Sequence, residues 1–127
     1  MIAVQAEGCA PLVKAFREKK DKAEEWKNAF TIASGLRVPQ PFADSIVLKA
    51  LRESKGEALA VSDQEIVSNL KEIAATEGIF VCPEGASSLA GLKKLMMENK
   101  VNKAEKVVLF NTGSALKHLE TLKKFYS

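Results

Sequence analysis

Metal and disulfide chemistry have little to work with in this chain. Its 127 residues include two cysteines, Cys9 and Cys82, and a single histidine, His118. There is no Cys-x-x-Cys pair, whereas a structural zinc site takes about four such ligands at short spacings. No metal site is expected. Two unpaired cysteines in a chain without a targeting signal suit a reducing, cytoplasmic setting. Aromatics are 6% of the residues, too few to interleave with cations as single-stranded nucleic-acid binders require. The formal charge is only +3, although eight of the 19 basic residues, and three of the 16 acidic ones, fall within residues 93–127. Those lysines are spread over helix faces as a solvated surface, and no nucleic-acid partner is expected. No apolar run approaches the ~20 residues that span a bilayer, so no membrane partner is expected. Met1 to Glu7 has neither the basic start nor the long apolar run of a signal peptide. Glycine-rich phosphate fingerprints are missing too: neither Gly-x-Gly-x-x-Gly nor the Gly-Lys-Ser/Thr loop occurs.

What remains is an ordinary globular composition, 46% hydrophobic and 28% charged, at a length that suits one domain with one core. Short apolar strands alternate with amphipathic helices. Strands are expected at Ile2 to Ala6, Ala58 to Val61, Ile79 to Val81 and Val107 to Phe110, the last a continuous apolar run typical of a strand covered on both faces. Helices are expected from Pro11, with Leu12, Val13 and Phe16 inward; from Ala43 to Ser54, with Ile46, Val47, Ala50 and Leu51 inward; and from the capping box Ser62 to Glu65 up to Gly78. Another follows Pro83, with Leu89, Leu92, Leu95 and Met96 inward, and a last one covers residues 115–125. This is an α/β pattern, a parallel sheet of about four strands with helices packed on it, forming a single unit over residues 1–127. Residues 19–42 form a long loop, and loops of that length inside compact domains are more often functional than not.

Parallel sheets bind ligands outside the carboxyl ends of their strands. That rule selects residues 7–11, 62–63, 82–86 and 111–115. In Asn111-Thr112-Gly113-Ser114, Gly113 permits a tight turn, and Thr112 and Ser114 present neutral hydroxyls that can donate or accept. Ordinary helix capping by either hydroxyl explains the same residues. Glu84, in Cys82-Pro83-Glu84-Gly85-Ala86, is a strand-end acid; its other explanation is a first-turn carboxylate favoured by the helix dipole. Within the long loop, Ser34, Gly35 and Arg37 bring together a hydroxyl, a glycine and a cation able to pair with a carboxylate or phosphate, or simply to face solvent.

Five stretches in order resemble one family: Val4 to Pro11, Thr31-Ile32-Ala33-Ser34-Gly35-Leu36-Arg37-Val38-Pro39, Ala60 to Glu65, Thr76 to Ala86 and Val108 to Lys117. Together they are similar to the C-terminal part of threonine synthase, a fold-type II pyridoxal-phosphate enzyme related to the tryptophan synthase β chain. The phrases Thr-Ile-Ala-Ser-Gly and Pro-Glu-Gly-Ala also echo threonine and serine dehydratases. The resemblance implies a carbon–oxygen lyase of threonine biosynthesis that turns O-phosphohomoserine and water into threonine and phosphate. It implies Thr112 facing the pyridine nitrogen, with Asn111, Gly113 and Glu84 beside the cofactor and Ser34, Gly35 and Arg37 on the substrate side. The Schiff-base lysine, the asparagine beside the ring hydroxyl and the phosphate loop belong to the family's N-terminal portion and are not recognisable here. Lys117 sits a helical turn beyond Thr112 and reads as structural, and Ala115 stands where the family pattern expects glycine. The chain is thus expected to be a truncated piece, inactive alone. It is also expected to self-associate, because a sheet cut from a larger domain leaves an unpaired edge. The competing readings are a non-catalytic α/β module that binds a ligand or partner, and a subunit completed by a separate N-terminal chain.

Overall fold

The computed structural model describes residues 1–125 and divides into two compact units, Met1–Ser62 and Asp63–Ser127. The first unit is a strand–helix–helix–strand arrangement. Strand β1 (Ile2–Ala6) and strand β2 (Glu57–Val61) pair in parallel, with Ile2 beside Glu57 and Ala6 beside Val61. A parallel pair cannot be joined by a hairpin, so the chain crosses over through helix α1 (Pro11–Arg17) and helix α2 (Asp44–Glu53). Pro11 opens α1 at the position where its missing amide costs nothing. The core gathers Ala10, Val13, Leu51 and Ala58, with Phe16, Val47 and Trp26 packed against it.

In α2 the buried positions are Leu48 and Leu51, while Ile46 is 71% exposed. The buried stripe therefore passes through Val47, Leu48 and Leu51, and Ile46, two residues from Leu48, falls on the far side of the helix. Between α1 and α2 only a single 3-10 turn, Ser34–Leu36, interrupts irregular chain. That chain is nevertheless tied down. The Trp26 amide donates to the Pro39 carbonyl at 3.0 Å, the Ala23 amide to Asp44 Oδ2 at 2.7 Å, and Arg52 Nη1 to Asp21 Oδ1 at 2.7 Å. Glu24 lies between Lys20 and Lys14, whose hydrogen bonds and charge lower its carboxyl from 4.5 to about 2.

The second unit is built on helix α3 (Asp63–Glu77) and helix α4 (Pro83–Met97). Within α3, Ile66, Val67 and Leu70 are buried, as their spacing predicts. Asn69 is buried with them; its Nδ2 donates to the Glu65 carbonyl at 2.8 Å, while its Oδ1 has no partner among the described residues. In α4 the buried face consists mostly of small residues, Gly85, Ala86, Ser87, Ala90 and Gly91, with Leu95 at its end. Lys94 and Glu65 form a part-buried ion pair at 3.0 Å.

The sheet has two strands, not about four. Among the described residues, the only strand-like pairing at Ile79 to Val81 is one antiparallel bridge, Val81 with Ser114, and Val107 to Phe110 enters no ladder. A continuous apolar run says that both of its faces favour cover; it does not supply the neighbour that must hydrogen-bond to it. The terminal helix is likewise shorter than expected. Residues 115–118 and 123–125 are 3-10 turns flanking helix α5 (Leu119–Leu122). The three-residue spacing of Leu116, Leu119 and Leu122 matches a 3-10 repeat better than an α-helical one, and only Leu122 is buried.

Candidate functional site

In the first unit, the chain leaves β1 into Glu7-Gly8-Cys9. No room for a ligand opens beside Gly8, because the chain's own loop fills it. A Cβ placed there would stand 1.8 Å from the Phe30 carbonyl oxygen. The Phe30 amide donates to the Gly8 carbonyl at 3.1 Å, fastening the long loop to the strand end. Downstream of that fastening Thr31, Ile32 and Ala33 are buried, and Thr31 Oγ1 accepts from the Ala33 amide at 3.2 Å. Ser34, Gly35 and Arg37 then emerge on the surface. Arg37 joins Trp26, Lys27 and Pro39 in lining an open depression of about 600 Å³. Cys9 is fully buried, and burial raises its thiol above its ordinary range despite the lowering effects of the Val38 backbone and the Arg37 charge. It is a small hydrophobe held protonated.

The second unit brings two of the selected stretches together. The Val81–Ser114 bridge is flanked by hydrogen bonds from the Cys82 amide to the Gly113 carbonyl at 3.1 Å and from the Ala115 amide to the Phe80 carbonyl at 3.0 Å. These hold Asn111-Thr112-Gly113-Ser114 against the first turn of α4. Gly85 makes the approach possible: a Cβ on it would lie 2.4 Å from Asn111 Oδ1 and 3.3 Å from Asn111 Cα. Gly113 is not required on steric grounds, since its added Cβ would meet Cys82 at an ordinary 3.6 Å and its φ is not positive.

The hydroxyls of the turn divide the work. Ser114 is a helix cap, its Oγ accepting from the Leu116 amide at 3.3 Å. Thr112 caps nothing: among the described residues its hydroxyl meets only the Cys82 thiol, at 3.8 Å, and the residue is exposed. Cys82 is a contributor the sequence did not advertise. Buried, it caps α4 by accepting from the Gly85 amide at 3.3 Å, and its Sγ lies 3.6 Å from Asn111 Oδ1. The available signal was its place just before Pro83 at the first helical position. Glu84 sits in the first turn of α4, where the helix dipole favours a carboxylate. Its Oε2 is 3.8 Å from His118 Nε2, with both side chains largely buried.

The turn thus offers an exposed neutral hydroxyl on a backbone fixed from behind by a thiol and two hydrogen bonds. Such a group can donate to, or accept from, a ring nitrogen without imposing a charge. Residues of these types fit one wall of a pyridine-ring site.

Among the described residues no helix is long and apolar enough to cross a membrane, and no cluster of three or more metal-ligating side chains occurs. Residues 1–113 match the family described as pyridoxal-phosphate dependent enzyme. The chain is 44% identical over 117 residues to the threonine synthase of Methanocaldococcus jannaschii, covering 92% of this chain and 29% of that protein. It is 38% identical over 122 residues to the threonine synthase of Methanosarcina acetivorans, covering 96% and 30%. The chain therefore spans about 30% of the length of these relatives. Two solved structures share the fold. One is a serine ammonia-lyase from Rhizomucor miehei, with TM-score 0.69 and 18% identity over 99% of this chain and 41% of that one. The other is maize serine racemase, with TM-score 0.67 and 20% identity over 98% and 38%. With 113 of its 127 residues matched, the chain belongs to the pyridoxal-phosphate-dependent enzyme family, and within that family it resembles the C-terminal part of threonine synthases.

Proposed function

We propose that this chain is the C-terminal portion of a threonine synthase, and that in the complete enzyme it helps convert O-phosphohomoserine and water into threonine and phosphate. When bound, pyridoxal phosphate supplies the electron sink, and the protein supplies geometry and electrostatics. Thr112 holds the pyridine nitrogen through a neutral hydroxyl, so the ring is not forced into its protonated form as it would be by an aspartate. Asn111 and Gly113 shape that wall, and Glu84 borders it. Ser34, Gly35 and Arg37 serve the substrate side, where the guanidinium suits an anionic group. The observation that carries this reading is the division between the two hydroxyls: Ser114 is consumed in capping, whereas Thr112 is presented outward. By the same reading the chain is a portion of a single α/β domain, located in the cytoplasm, inactive alone and self-associating.

A chimera tests it. This chain would replace the matching segment of the Methanocaldococcus jannaschii threonine synthase, a protein of which it covers 29%. The chimera is expected to release phosphate and form threonine from O-phosphohomoserine, and the 127-residue chain alone to form none. Thr112→Val should lower kcat/KM roughly 30-fold, equivalent to about 2 kcal/mol of lost stabilisation, and Thr112→Ser should restore most of it. A chimera that instead makes 2-oxobutanoate from threonine would favour the dehydratase alternative. Activity indifferent to Thr112→Val would remove Thr112 from the site.

A further inference from the structure

Cys82 stands behind the Thr112 turn, only 2% exposed, and its sulfur meets three polar groups. The Gly85 amide lies at 3.3 Å, Asn111 Oδ1 at 3.6 Å and Thr112 Oγ1 at 3.8 Å. Two of the three have a fixed sense: an amide N–H can only donate, and a carboxamide oxygen can only accept. Thr112 can do either, and so can the thiol, which carries one hydrogen. With that hydrogen given to Asn111, the sulfur still has a lone pair for the Thr112 O–H. With the Thr112 hydrogen turned away, the thiol hydrogen can swing to the Thr112 oxygen instead, while Gly85 continues to donate. The contact therefore survives either direction of the Thr112 hydrogen.

We propose that Cys82 is a positioning residue for Thr112: its thiol holds the hydroxyl oxygen in one place, whether the hydroxyl donates outward or accepts. This rests on the reading of Thr112 as the ring contact and adds the group that aims it. Among the described residues no other side chain meets that hydroxyl, and an exposed threonine with no partner distributes among its χ1 rotamers. A hydrogen donated from behind also polarises the Thr112 O–H and strengthens what it gives outward. Sulfur suits the task by its reach. Serine is a strong N-cap and would keep the bond from the Gly85 amide. Its oxygen, however, sits closer to its own Cβ and bonds over a shorter range, so it would fall short of Asn111 and Thr112.

Cys82→Ser thus separates capping from positioning. In the 127-residue chain, three-bond NMR couplings from the Thr112 methyl carbon to its own amide nitrogen and carbonyl carbon report χ1 directly. One rotamer is expected in the unaltered chain and averaged couplings in Cys82→Ser, with helix content unchanged by circular dichroism. In the chimera described above, Cys82→Ser should lower kcat/KM about fivefold, the worth of one modest hydrogen bond. Added to Thr112→Val it should cost nothing further, because the group it positions is already gone. An equal loss with and without Thr112→Val, or single-rotamer couplings in both chains, would overturn the positioning role. If Thr112→Val itself leaves activity untouched, the ring contact fails instead, and the couplings still decide whether Cys82 holds the hydroxyl.

Discussion

Gly8→Ala is expected to lower the stability of the chain by about 3 kcal/mol, near the upper end of what overpacking costs. The new methyl would meet the Phe30 carbonyl oxygen at 1.8 Å. No rotamer relieves such a contact, because both atoms are attached directly to backbone. Either the end of β1 or the loop carrying Phe30 must shift, and the Phe30 amide then loses the Gly8 carbonyl it donates to at 3.1 Å. The loss spreads along the loop, since Thr31 to Ala33 are buried immediately downstream. Urea unfolding followed by tryptophan fluorescence measures the effect, because Trp26 packs on the core of this unit. A cost below about 1 kcal/mol would mean that the loop is not fastened at Gly8.

Leu70→Ala should cost about as much, roughly 3 kcal/mol, for the opposite reason. Leu70 is fully buried in α3, and truncation removes apolar contacts and leaves a cavity where Gly8→Ala adds atoms. If residues 1–127 form the single α/β unit we propose, both substitutions shift one cooperative transition seen equally by fluorescence and far-ultraviolet circular dichroism. Two transitions, with Gly8→Ala moving one and Leu70→Ala the other, would show that the units fold separately.

Much of this fold is legible in the residues because local rules decide it. Helices α2 and α3 lie within a residue or two of where their periodicity and end signals put them, and β1 and β2 lie where short apolar runs are bounded by turn residues. The strands expected at 79–81 and 107–110 are missing as ladder members for a physical reason: a strand exists through its neighbour, and composition names no neighbour. Ile46 shows a smaller gap. Its hydrophobicity is unambiguous, but which side of the helix meets the core is settled by Leu48 and Leu51. The candidate site can be read from the residues only as a set of segments. Asn111 to Ser114 and Cys82 to Ala86 stand out from the sequence, yet only the fold shows that Ser114 caps while Thr112 does not, that Cys82 caps α4, and that the tight approach belongs to Gly85 and not to Gly113. The two caps depend on which nearby backbone amide turns toward each side chain, and the Gly85 approach on where Asn111 comes to lie, neither of which residue types fix.

The bridge behind Thr112 also carries a kinetic meaning. Val81 and Ser114 are 33 positions apart, and closing a flexible loop of that length costs about 3 kcal/mol in chain entropy. Its two flanking backbone hydrogen bonds return about 1 kcal/mol each, so the clasp cannot form ahead of the helices that shorten the span. It should be the last part of the second unit to assemble and the first to open, with α4 intact on either side of the event. Amide exchange at Cys82 and Ala115, the two donors of the clasp, should accordingly outpace exchange at Leu95; equal protection would mean that the turn and the helix rise and fall together. A clasp that closes late would leave the Thr112 hydroxyl, which we propose contacts the ring, out of place until its supports have formed, making its position a checkpoint on folding as well.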